Sequence, residues 1–215
     1  MRKKTIFLDL DGTILDVSER VHRVYKNILK KYNKKFLSKD KYLKLKREKT
    51  SIEEILKKTK AEDIAIKFKK EWKKEIEKPD YLDLDQVSYS NRKTLLSLKN
   101  NWNLILVTLR KHPKRLFNQL KKKKIDKIFN KVLVFSKESQ KPKWKIKSEL
   151  LKKYGKFSKN SIIVGDTETD ILMGKHLVIK TIAVSSGMRN RKLLKKYKPD
   201  ILIKDFSEIK NIINQ

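Results

Sequence analysis

The chain has 215 residues and no cysteine. Disulfide frameworks, thiolate metal sites and thiol nucleophiles are therefore excluded, and the composition fits a reducing cytoplasm. Lysine and arginine number 57 against 25 acidic residues, a formal net charge of +32, but the cations are scattered and only Lys121 to Lys124 run four together. Such a spread reads as a compositional bias more than a built binding face, with a nucleic-acid-binding role kept as the alternative.

Met1-Arg2-Lys3-Lys4 ahead of apolar residues has the outline of a signal peptide, yet Asp9 and Asp11 cut the apolar run short. No later stretch approaches the roughly 20 apolar residues of a membrane span. A soluble, cytoplasmic protein with no membrane partner is the expectation.

The first element is a β-like run, Thr5-Ile6-Phe7-Leu8, ending in Asp9-Leu10-Asp11-Gly12-Thr13. Side chains alternate along a strand, so Asp9 and Asp11 project to the same side if the extended geometry persists. Gly12 permits a sharp turn, and Thr13 places a hydroxyl just beyond. Two like charges this close favour a bound cation or one raised pKa.

Val21, Val24, Tyr25, Ile28, Leu29 and Tyr32 then trace one helical stripe, with Ser18 as the expected cap. Ser38 opens a second helix. Thr50 and Glu53 have capping-box spacing ahead of Ile55 and Leu56. Ile64, Phe68, Trp72 and Ile76 mark a longer helix, expected to run up to Pro79. Residues 17–87 therefore read as a small, wholly helical block inserted after the first strand, with 1–16 and 88–215 forming the rest of the fold.

From about residue 91 the pattern changes. A short helix leads into Leu104-Ile105-Leu106-Val107-Thr108, a helix from Pro113 follows, and then Val132-Leu133-Val134-Phe135. A helix carrying Ile146, Leu150, Leu151 and Tyr154 stops at Gly155. Strands follow at Ser161 to Val164, Thr181 to Val184 and Ile201 to Ile203, and Asp205 with Glu208 forms the capping box of the last helix. Short continuous apolar strands alternating with amphipathic helices indicate an α/β fold, a parallel sheet covered on both faces.

Ligands bind at the carboxyl ends of such strands. Three strand ends carry polar groups: Asp9, Asp11 and Thr13 after the first, Thr108 after the second, and Gly165-Asp166-Thr167-Glu168-Thr169-Asp170 after another. Together they would give a carboxylate cluster without cysteine, which suits Mg²⁺ better than zinc or copper. Magnesium commonly takes one or two carboxylates plus a substrate phosphate.

Here the chain resembles the haloacid dehalogenase superfamily, in its phosphoglycolate phosphatase-like branch. Asp9-Leu10-Asp11-Gly12-Thr13 matches the family's first motif, Leu104 to Thr108 its second, and Gly165-Asp166 to Asp170 its fourth. The helical block falls where the family inserts its cap. The resemblance implies a three-layer, Rossmann-like core under a helical cap, and a Mg²⁺-dependent phosphatase for a small phosphorylated metabolite such as phosphoglycolate, a sugar phosphate or a nucleotide. A phosphomutase on the same scaffold, or a phosphatase of nucleic-acid ends, is the alternative. It further implies Asp9 as nucleophile and Asp11 as acid and base, with Thr13 and Thr108 at the phosphate. Mg²⁺ would be held by Asp9, the Asp11 carbonyl and Asp166, with Asp170 in or just behind that shell.

The third motif needs one lysine just before or at the start of the helix preceding the fourth; Gln140 to Lys147 offers four, of which Lys141 and Lys143 match known forms of the motif. Lys141 is preferred because Lys141-Pro142 matches the common form. Arg110 and His112 read equally as groups at the mouth of the site or as exposed loop positions. His22 reads as a surface residue, while Trp72 and Trp144 read as packing.

Overall fold

A computed structural model describes residues 4–158 and 160–213. The first three residues of the signal-like opening lie outside them. Among the described residues, no helix is long and apolar enough to cross a membrane.

Six strands form one parallel sheet: β1 (Thr5–Leu8), β2 (Asn103–Thr108), β3 (Lys131–Val134), β4 (Ile162–Gly165), β5 (Lys180–Val184) and β6 (Ile201–Ile203), in the order β3-β2-β1-β4-β5-β6. β1 is central. Leu8 pairs with Leu106 on one side and Val164 on the other, so the ends of β1, β2 and β4 lie side by side. Between β1 and β2 come α1 (Ser18–Lys31), α2 (Lys39–Arg47), α3 (Ile52–Lys57), α4 (Ala65–Glu75), α5 (Pro79–Leu82) and α6 (Tyr89–Asn101). The later crossovers are α7 (Pro113–Lys122), α8 (Lys143–Tyr154), α9 (Glu168–Leu177) and α10 (Arg191–Lys196), and α11 (Lys210–Ile213) is the last element among the described residues.

The strands read as continuous apolar runs because both faces are covered. Ile6 and Leu8 point into a core shared with Leu95 and Leu98 of α6 and Leu116 and Leu120 of α7. Phe7, Ile105 and Ile163 point the other way, onto Leu151 of α8 and Met173 of α9. This is the expected three-layer α/β sandwich. Period-two alternation survives as a choice between two buried faces.

The α1–α5 block leaves and rejoins the sheet region at one place. Asp16 and Gln86 exchange backbone hydrogen bonds of 2.8 and 3.0 Å. Inside the block, the Tyr25 ring stacks on Tyr42 with centroids 4.2 Å apart, and Phe68 meets Tyr25 edge-on at 6.2 Å.

Several local expectations shift. Ser18 is the first residue of α1, not its cap; Asp16 accepts from the Ser18 N–H at 2.8 Å. The capping box is Ser51 with Glu54, one residue beyond the expected pair, because Thr50 N–H is already used on Leu45 to close the preceding helix. Pro79 begins α5, since α4 has ended at Glu75. His22 is buried, with its Nε2 3.0 Å from the Leu37 carbonyl oxygen.

Candidate active site

β1 ends at Leu8, and Asp9 extends its ladder by donating an N–H to the Val164 carbonyl at 2.9 Å. The chain then folds back, with Ile14 and Leu15 N–H groups both donating to the Leu10 carbonyl. Gly12 sits at φ +89° with its Cα pressed against Asp166; a Cβ there would lie 2.1 Å from Asp166 Oδ2. Only glycine satisfies the left-handed backbone and this close approach together.

Asp9, Asp11 and Thr108 line one cleft of about 290 Å³ at the carboxyl ends of β1 and β2, together with Lys147 of α8 and Thr167 beyond β4. Asp166, directly after β4, is fully buried. Its Oδ1 accepts from the Thr13 hydroxyl at 3.2 Å and its Oδ2 from the Met188 N–H at 2.6 Å. Asp170 lies in the first turn of α9, where its Oδ2 accepts from the Thr167 hydroxyl at 2.8 Å in a capping box. Asp9, Asp166 and Asp170 each offer an oxygen within 4.8 Å of the others.

The cation facing this cluster is Lys147. Its Nζ donates to Asp9 Oδ1 at 2.5 Å and to Asp170 Oδ1 at 2.7 Å, and the side chain is buried. The structure brings this lysine to the cluster, and neither Lys141 nor Lys143 hydrogen-bonds to it. Lys141 lies before α8, exposed, and pairs with Glu149 at 2.7 Å. Lys143 opens α8, where it is exposed and lines the cleft. One turn further along the helix, Lys147 faces inward, because it shares a stripe with Leu150, Leu151 and Tyr154. The Thr13 hydroxyl donates to Asp166, and Thr13 is not among the residues that line the Asp9 cleft.

Asp11 is held differently. Arg110, in the loop after β2, grips it with Nε to Oδ2 and Nη2 to Oδ1, both at 2.6 Å. Arg20 of α1 adds Nη2 to Oδ1 at 2.7 Å. Behind both arginines lies Asp85, fully buried, accepting from Arg20 Nε at 2.8 Å and Gln119 Nε2 at 2.7 Å. Arg110 is therefore buried against Asp11 and is not an exposed loop position.

The electrostatics divide the carboxylates. Burial pushes Asp9 up to about 7, with the Asp170 and Asp11 charges adding to it and Lys147 opposing. Burial also raises Asp166 well above its ordinary value, reinforced by the Asp9 and Asp170 charges. Burial would raise Asp11 too, but the Arg110 and Arg20 guanidinium groups outweigh it and hold Asp11 at about 2. For Lys147, burial disfavours the charge, yet Asp170 and Asp9 together raise its pKa. Three crowded carboxylates served by one lysine form a site short of positive charge. Their all-oxygen donor set fits a hard divalent cation.

The paired aspartates at the end of the central strand, the buried lysine and the second carboxylate pair after a neighbouring strand make one acidic cluster at the carboxyl edge of a parallel sheet. Over residues 6–184 the chain matches the family described as haloacid dehalogenase-like hydrolase, and it belongs to that family. It is 26% identical over 230 aligned residues to the pyrophosphatase PpaX of Oceanobacillus iheyensis, with 99% of this chain and 98% of that protein covered. Among solved structures, it superposes on a haloacid dehalogenase-like family protein, SP0104, from Streptococcus pneumoniae with a TM-score of 0.78, at 19% identity and 98% coverage of both chains. A protein described as a predicted phosphoglycolate phosphatase from Haemophilus somnus gives 0.77 at 22% identity, with 99% of each chain covered.

Proposed function

We propose that the protein is a Mg²⁺-dependent phosphatase of a small phosphorylated molecule, working through an aspartyl-phosphate on Asp9. The observation that carries this reading is Lys147 bridging Asp9 and Asp170, with Asp166 beside them. Asp9 would be the nucleophile. One of its oxygens attacks phosphorus, the new O–P bond forms as the bond to the leaving oxygen breaks, and Asp11 supplies that oxygen with a proton. A water then attacks the aspartyl-phosphate, Asp11 takes the water proton, and the Asp9–phosphorus link breaks to release phosphate.

Asp9, Asp166, the Asp11 carbonyl and Asp170 would hold the Mg²⁺, which when bound supplies positive charge against the phosphoryl oxygens. Lys147 contributes fixed positive charge on the same side, and Thr108, buried at the end of β2, contributes a hydroxyl. Thr167 holds Asp170, and Thr13 with the Met188 N–H holds Asp166, so the cluster is braced before substrate arrives.

The α1–α5 block would act as the cap. Arg20 of α1 with Ile76 and Glu77 after α4 line the cleft opposite the strand ends, where they can exclude water and select substrate. The small cleft suits a small substrate. The relative named pyrophosphatase adds inorganic pyrophosphate to phosphoglycolate, sugar phosphates and nucleotides as candidates. Phosphate release from this panel and from p-nitrophenyl phosphate, with and without Mg²⁺, tests the reading. Absence of Mg²⁺-dependent hydrolysis across the panel would overturn it.

A further inference from the structure

Both oxygens of Asp11 accept hydrogen bonds from arginine. Oδ1 accepts from Arg20 and Arg110, and Oδ2 accepts from Arg110. The Arg110 fork covers one edge of this carboxylate, and a proton on Asp11 would compete with all three guanidinium hydrogen bonds. If Asp11 is the acid and base, as proposed above, it must leave the arginines during turnover. Its departure would strip Arg110 and Arg20 of a counter-ion at a place where both are only 4% exposed. Buried guanidinium groups do not stay unpaired cheaply.

Arg110 is also short of a partner already. Its Nη1 is buried and has no hydrogen-bond acceptor, while Nε and Nη2 are used. The guanidinium cannot follow Asp11 outward, because Asp85 and Gln119 hold it from behind, at 3.5 and 3.3 Å from Nη2. Arg20 is fixed by Asp85 and by the Ile76 carbonyl. The result is a preorganised two-arginine seat in the Asp9 cleft, occupied by the protein's own carboxylate.

We propose that Arg110 and Arg20 form a receptor for a second anionic group on the leaving side of the substrate, which takes the place of Asp11 on the arginines. Substrates whose leaving group is itself an oxyanion, either a second phosphate or a carboxylate close to the scissile phosphoryl group, fill the seat and free Asp11. Substrates with a neutral leaving group do neither. Arg110 is thus a specificity-determining residue, and Asp85 and Gln119 are its positioning residues.

Binding of three non-hydrolysable phosphonates in Mg²⁺-containing buffer, followed by calorimetry, tests this. Methylphosphonate carries only the first anion, methylenediphosphonate adds a second phosphonate, and phosphonoacetate adds a carboxylate. The expected result is that at least one two-anion probe binds about tenfold or more tightly than methylphosphonate. The tighter of the two identifies the second anion. Arg110→Gln should remove most of that difference, and Arg110→Lys, which keeps the charge without the fork, should keep part of it. Equal affinity for all three probes in the wild-type protein overturns the proposal. So does an Arg110→Gln variant, or Arg110→Lys where the first does not fold, that weakens all three by the same factor. Because the readout is binding, it is independent of turnover: discrimination without hydrolysis of any substrate would retain the receptor and reject the phosphatase reading.

Discussion

Replacing Lys147 with methionine, which keeps volume and removes charge, tests the centre of the site. The side chain is 5% exposed and lies 2.5 Å from Asp9 and 2.7 Å from Asp170, whose side chains are 13% and 3% exposed. Removing one partner of such a buried pair strands the other, at a cost of about 3–5 kcal/mol. Spread over the unfolding entropy of a 215-residue chain, that corresponds to a fall in melting temperature of about 7–11 °C. Thermal melts without metal should show this fall. Added Mg²⁺ should raise the melting temperature more in the variant than in the wild type, because the cation enters a cluster that has lost the lysine bonded to Asp9 and Asp170. Turnover should drop by about 100-fold or more, the usual loss when one preorganised charge is taken from a developing transition state. The comparison variant is Lys141→Met, whose partner Glu149 is half exposed; it should melt within about 2 °C of wild type, as surface pairs contribute little. If Lys147→Met melts like the wild type, or if Lys141→Met loses more activity, the assignment of the lysine is wrong.

Asp9→Asn should abolish turnover and leave the protein at least as stable without metal, since it relieves crowding with Asp170 and Asp11; near-normal turnover in this variant would remove Asp9 as nucleophile. The carboxyl of Asp9 is raised from 3.8 to about 7 in the folded chain. Folded protein thus holds that proton more tightly than unfolded, and metal-free stability should fall as pH rises from about 4 to 7. Mg²⁺ competes with the same proton, so its stabilising effect in thermal melts should be small at pH 5 and larger at pH 8; equal effects at both would contradict the site. Gly12→Ala places a Cβ 2.1 Å from Asp166 Oδ2 at φ +89°. It should cost about 1–3 kcal/mol in denaturant unfolding and weaken the Mg²⁺-induced stabilisation, whereas an unchanged Mg²⁺ response would show that Gly12 does not set the position of Asp166.

What was legible in the sequence is what the parallel sheet makes local. Each of Asp9, Thr108 and Asp166 sits at the end of an apolar run, so finding the strands finds these residues. Their convergence then follows from the order β2-β1-β4, which brings the three strand ends together. Asp170 is legible for a similar reason, as the third residue of a helix that begins directly after β4. The Asp11 side chain could be placed, but not its state. Its arginine partners come from α1 and from the loop after β2, and neither is close to it in both sequence and motif.

Lys147 and Arg20 were missed for a physical reason that also shows how to find them. In a chain with 57 lysines and arginines, a lysine near the right place is no signal, and Lys141 beside Pro142 looked as good as any. A cation on the apolar stripe of a helix is a signal, because burying it costs several kcal/mol unless a carboxylate meets it. Lys147 precedes Leu150, Leu151 and Tyr154 at the three-, four- and seven-residue spacings that put it on their face of α8. Arg20 precedes Val24 and Ile28 at four and eight on α1. Both stripes are visible without coordinates, and each predicts an acidic partner across the interface: Asp9 and Asp170 for the lysine, Asp11 and Asp85 for the arginine. In a protein this basic, the helical cations to single out are those that occupy a place on an apolar stripe, whereas a loop cation such as Arg110 carries no such mark in the sequence.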